Sequence, residues 1–155
     1  MEAMLPIMDS IVRMMGIVAD YEYSPDDPEF VWNVLYLMGN HWCGTHPMVE
    51  IKHDGVTHIP AQAMKEFDNA AFANYTEHPA IPESMLSSVK YDVENDAYIL
   101  SNSDMSGTKT KIDDISNAGN GGVIVKVGVY DSIDEPEYLM GWVEFTLIRQ
   151  PNVEG

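Results

Sequence analysis

The stretch from residue 123 to residue 149 constrains this chain more than any other. Val123, Val125, Val127 and Val129 alternate with Ile124, Lys126, Gly128 and Tyr130. Further on, Leu139, Gly141, Val143, Phe145 and Leu147 alternate with Tyr138, Met140, Trp142, Glu144 and Thr146. A period of two places each set on one face of an extended strand. Residues 131–137 between them are polar and acidic and include Pro136, which reads as a hairpin loop. On the second strand, Leu139, Val143, Phe145 and Leu147 are expected to pack on helices. The opposite face carries Tyr138, Met140, Trp142 and Ile148, with only Glu144 and Thr146 polar. Such a row is costly to leave in water, and contiguous apolar patches mark contacts. Tyr138, Met140 and Trp142 are therefore the predicted interaction residues, with Trp142 as anchor. Either a Met-rich N-terminal helix or a second copy across a two-fold axis would cover them.

Upstream, the period changes. Ile7, Ile11, Met14, Met15 and Val18 recur at helical spacing, predicting a helix over residues 6–18. A second helix has Asp27 as N-cap, Pro28 at its first position and Glu29 in its first turn, and Gly39 with Asn40 is expected to end it. Residues 48–59 read as a small hairpin turning at Asp54-Gly55. Pro60 then opens a third helix, with Ala63, Met64, Phe67, Ala71 and Phe72 inward and Lys65, Glu66 and Asp68 outward. Residues 77–82, with Pro79 and Pro82, read as a linker. Short strands are expected at residues 91–93, 97–100 and 108–112, and a long flexible turn at residues 113–122. Helices first and strands last, with short links, imply an α+β fold: N-terminal helices and a small hairpin packed on a curved antiparallel meander. One domain of 155 residues is the expected organisation.

Charge narrows the classes of partner. The 25 acids outnumber the 8 Lys and Arg, for a net charge of −17. Such a field repels nucleic acid and anionic membrane, and favours cations or basic protein surfaces. The acids are spread along the chain, with no acidic tail. No apolar run approaches the ~20 residues needed to span a bilayer, so no membrane insertion is expected. The first residues lack the basic segment of a signal peptide. The location expected is the extracytoplasmic envelope if a signal was trimmed, and the cytoplasm otherwise. Cys43 is alone, so no intrachain disulfide can form.

The densest set of metal-ligand types is His41, Cys43, His46, His53 and His58. His41-x-Cys43-x2-His46 offers three ligands that zinc accepts. The spacing matches no structural zinc pattern, and no His-Glu-x-x-His helix is present, so neither metal nor cofactor is expected. Carboxylates cluster at Asp92, Glu94 and Asp96 and at Asp131, Asp134, Glu135 and Glu137, without the spacing of a helix-loop-helix calcium site. Cys43 with His41 or His46 as base is the one thiol arrangement available, and phosphate-binding, dinucleotide and serine-nucleophile motifs are missing. No catalytic residue is assigned.

The runs "THIPAQAMKEFDNAAF", "YDVENDAYIL" and "GGVIVKVGVYD…YLMGWVEFTLI" resemble extracytoplasmic, lipoprotein-associated domains of Firmicutes, whose function is unknown. The resemblance spans residues 31–149 and implies a cystatin-like or NTF2-like layout. It carries over no catalytic residue. The function expected is a non-enzymatic binding or protein-interaction domain, with a protein partner or self-association as a dimer. Two alternatives are an acidic inhibitor that imitates nucleic acid before a basic protein, and a small-ligand carrier or enzyme using a pocket between sheet and helices.

Overall fold

A computed structural model describes residues 4–17, 22–42, 48–51, 55–72, 77–102, 107–119, 121–131 and 137–148. The chain forms two compact units, Asp9–Asp104 and Met1–Met8 with Met105–Gly155. Three helices and two antiparallel sheets make the α+β fold expected from the sequence. The strands are divided between the two sheets, where the periodicity suggested one meander.

The first helix, α1 (Leu5–Val12), is followed by a wider π turn at Arg13–Ile17. Ile7, Ile11 and Met14 are buried, as the spacing requires, and Val12 is buried as well. Asp9 and Arg13 are buried with them, their side chains 2.9 Å apart and one helical turn removed. A charge taken out of water persists only beside its counter-charge. The second helix, α2 (Pro28–Trp42), starts as its sequence dictates: Asp27 Oδ1 accepts the backbone N–H of Glu29 at 3.0 Å. It does not stop at Gly39. A β-carbon there would stand 2.5 Å from Leu100 Cδ2 and 2.6 Å from Ile59 Cδ1. Gly39 is therefore a helix-interior residue that admits the sheet, not a terminator.

The first sheet has the order β1-β2-β4-β3, from Glu50–Ile51, Val56–Pro60, Ala97–Ser101 and Val89–Asp92. The early hairpin thus pairs through β2 with β4, from Val56 opposite Ser101 to Pro60 opposite Ala97. Pro60 ends β2 and caps α3 (Ala61–Ala71), one residue outside the helix it was expected to open. Phe30, Val34, Leu35, Ile59, Met64, Val89 and Leu100 are fully enclosed in this unit. Asp68 was expected on the wet side of α3 and is 1% exposed, on the stripe of Met64 and Phe72. The position of His78 explains it, as described below.

The second sheet has the order β5-β6-β7, from Thr108–Gly119, Gly122–Asp131 and Tyr138–Leu147. Most of the segment read as a flexible turn is strand: β5 pairs with β6 until Gly119 faces Gly122. Gly119 and Gly121 have φ of +74° and +77°, which a tight reversal needs and which glycine adopts without steric cost. The register shifts between Ile112 and Asp114, leaving Asp113 as an extra residue in β5. Val125, Val127 and Val129 on β6 are buried, while alternate residues of β7 are exposed, as the period of two demands.

Candidate functional site: an exposed aromatic sheet face and an aromatic cleft

The interaction residues predicted from the sequence occupy alternate, exposed positions of β7, but the pairing with β6 slips by one residue within the row, so that Trp142 pairs with Gly128 and Tyr138 with Asp131. Tyr138, Met140, Trp142 and the following Ile148 are 71%, 54%, 54% and 65% exposed. Met8 and Met14 of the Met-rich N-terminal segment are buried.

Trp142 in this row is held by its neighbours. The extra residue in β5 turns the Asp113 carboxylate across the sheet face. It accepts the Trp142 indole N–H at 2.8 Å and the Tyr130 hydroxyl at 2.8 and 3.0 Å. Gly128, paired with Trp142, makes the space: a β-carbon there would collide with the Asp113 carboxylate and stand 2.7 Å from a Tyr130 ring carbon. Lys126 Nζ lies 4.2 Å from the Trp142 ring centroid, and Lys111 Nζ lies 4.8 Å from that of Tyr130. Glu137 pairs with Lys111 and, at 3.1 Å, with Lys109. These hydrogen bonds, Lys111 first, hold the Glu137 carboxyl below the usual carboxylate range. The bond to Asp113 pushes the Tyr130 phenol above its ordinary value, with smaller contributions from burial and the Asp113 and Glu137 charges. Lys109, Lys111 and Lys126 are three of the chain's eight basic residues.

The other unit holds a cleft of about 560 Å³ that the sequence did not announce. Trp32 on α2, Tyr98 on β4 and Tyr91 on β3 line it, with His78, Asp96, Glu77 and Lys65. Trp32 donates its indole N–H to the Pro79 carbonyl at 2.8 Å, and His78 Nδ1 donates to Asp68 Oδ2 at 2.7 Å. These two bonds fix the segment read as a linker against the cleft. The only signals were Asp68 at the spacing of Met64 and Phe72, and a histidine beside Pro79. A histidine held by a buried carboxylate is also part of hydrolytic triads. The described residues that line the cleft include no serine, threonine or cysteine.

Of the candidate metal ligands, His41 lies in the last turn of α2, and Cys43 and His46 lie outside the described residues. Partial burial, then the nearby Arg13 charge, push the His41 imidazole below its ordinary value, against a smaller opposing effect of Asp9. Among the described residues no three His, Cys, Asp or Glu come together as metal ligands. Asp92 of the acidic turn is occupied with local structure, accepting from the backbone N–H of Glu94 at 3.0 Å and the Asn95 side chain at 2.7 Å. No helix among the described residues is long and apolar enough to cross a membrane. Comparison with protein-family models, curated proteins and solved structures finds no match.

Proposed function

We propose that this protein is a non-enzymatic interaction domain that self-associates through the exposed face of its second sheet. The observation that carries the reading is the row Tyr138, Met140 and Trp142 along β7, each more than half exposed. Isolated exposed apolar residues are ordinary, but a contiguous row with a fixed aromatic anchor is what interfaces use.

The mixed charge of this face admits a second copy as the occupant. Two chains of net charge −17 repel, and contact is cheapest where each is least negative. The sheet face around Trp142 gathers Lys109, Lys111 and Lys126 beside Asp113, Asp114, Glu137 and Glu144, so acid and base are interspersed across it. A two-fold axis through such a mixed patch sets opposite charges against each other. The hydrogen bond to Asp113 also supports the reading, because an anchor already held in one rotamer loses less entropy on contact.

Sedimentation velocity of the full chain over a wide concentration range tests this. A concentration-dependent dimer is expected, and Trp142→Ala should return it to monomer while the thermal transition stays cooperative. A wild-type chain that remains monomeric at high micromolar concentration rules the reading out.

A further inference from the structure

We propose that the cleft between Trp32, Tyr91 and Tyr98 is a second binding site, and that its ligand is a small alkylammonium cation. The site lies wholly within the Asp9–Asp104 unit and stands independently of the sheet face.

The shape comes first. A volume of about 560 Å³ is that of a small-molecule site. The rings of Trp32 and Tyr98 have centroids 5.2 Å apart, and those of Tyr98 and Tyr91 are 5.0 Å apart, tilted by 53° and 49°. They form one continuous aromatic cluster, in which Trp32 is 1% exposed and backs Tyr98, and Tyr98 and Tyr91 face the cleft. Pro79, Ala80 and Ile81 add an apolar edge suited to alkyl groups.

Charge then chooses the ligand. An aromatic face presents negative charge to whatever rests on it and attracts cations. Asp96 and Glu77 add two carboxylates to the lining, against Lys65 as the one lysine or arginine among the described lining residues. Asp96 is held there at some cost: its φ is +47°, a region that L-residues seldom occupy. Its carbonyl accepts the Ala61 N–H at 2.9 Å, and its carboxylate accepts the Tyr91 hydroxyl. Backbone strain of this kind collects at functional sites. The Tyr98 phenol is pushed up by burial and then by the Asp96 and Asp68 charges, which is the negative field an ammonium ion would meet. An anion would be repelled, and a neutral ligand would leave that field unused. The net charge of −17 further concentrates cations near the mouth.

The probes are choline and its neutral isostere 3,3-dimethylbutan-1-ol, titrated into the full chain at constant ionic strength and followed by NMR. Choline should give saturable shifts of the Trp32 indole and the Tyr98 ring, and the neutral alcohol should bind at least about fivefold more weakly. Tyr91→Leu and Asp96→Asn should each weaken choline binding several-fold without altering the sedimentation profile. Asn tolerates the positive φ at this position, so that second variant keeps the turn. Equal binding of the two probes would leave a ligand site but sink the cationic ligand. No saturable shift, shifts confined to Trp142, or choline binding untouched by both variants would overturn the site itself.

Discussion

Asp113 accepts hydrogen bonds from Trp142 and Tyr130 at once, at 2.8 Å to each. One carboxylate from an extra residue in β5 therefore locks aromatic side chains of both other strands. The Tyr130 phenol donates to that carboxylate only while protonated, so its folded pKa is raised above its unfolded value. Its contribution to stability is complete below the ordinary tyrosine range and is lost as pH rises through the folded value. Asp113→Asn should lower the titration of Tyr130 back toward ordinary tyrosine. The difference in tyrosinate absorbance between each background and its Tyr130→Phe counterpart measures this. An unchanged titration in Asp113→Asn would show that Asp113 is not the cause.

Gly39→Ala sets two effects of known size against each other. Alanine favours a helix interior by about 1 kcal/mol over glycine. The added methyl would meet Leu100 and Ile59, both fully buried, and overpacking of this kind costs about 1–3 kcal/mol. Packing should win, and the variant should be about 1 kcal/mol less stable in urea unfolding. A more stable variant would mean that Leu100 and Ile59 move aside easily.

Asp68→Ala removes the buried partner of His78 and leaves a ring nitrogen without its carboxylate. The expected loss is about 1–3 kcal/mol. The readout specific to the cleft is Trp32, because its bond to Pro79 depends on the segment that His78 anchors. Its indole resonance should shift or broaden. A shift confined to residues of α3 would separate the Asp68–His78 pair from the shape of the cleft.

Net charge predicts the response to salt. At −17 the native chain is compressed against its own repulsion, and the Debye length shortens with ionic strength, from about 30 Å at 0.01 M to about 10 Å at 0.1 M, so the range of that repulsion falls. The melting temperature at pH 7 should rise between these two concentrations. A fall would mean that ion pairs such as Lys109–Glu137 outweigh the bulk repulsion.

The residues that spoke plainly were those whose neighbours along the chain decide their role. Alternation in residues 123–130 and 138–147 marked β6 and β7, and Asp27-Pro28-Glu29 marked the start of α2. The exposed row Tyr138, Met140 and Trp142 follows from the same alternation. The turn in residues 113–122 was misjudged because its Asn and Gly content hid a two-residue hairpin signal, Asn120-Gly121, at the end of a longer strand.

Other assignments depend on residues distant in the chain. Gly39 has the signature of a helix end, and the approach of Ile59 and Leu100, 20 and 61 positions later, makes it an interior contact. Asp68 has the charge of a surface residue, and His78, ten positions later, makes its burial tolerable. Trp32, Tyr91 and Tyr98 belong to three separate elements, so no local pattern foretells one aromatic cluster. Periodicity and capping act within a few residues, through backbone geometry that each short segment carries with it. Burial of charge, close approach of a helix to a sheet and the lining of a cleft are set by which elements meet, and that the tertiary structure alone decides.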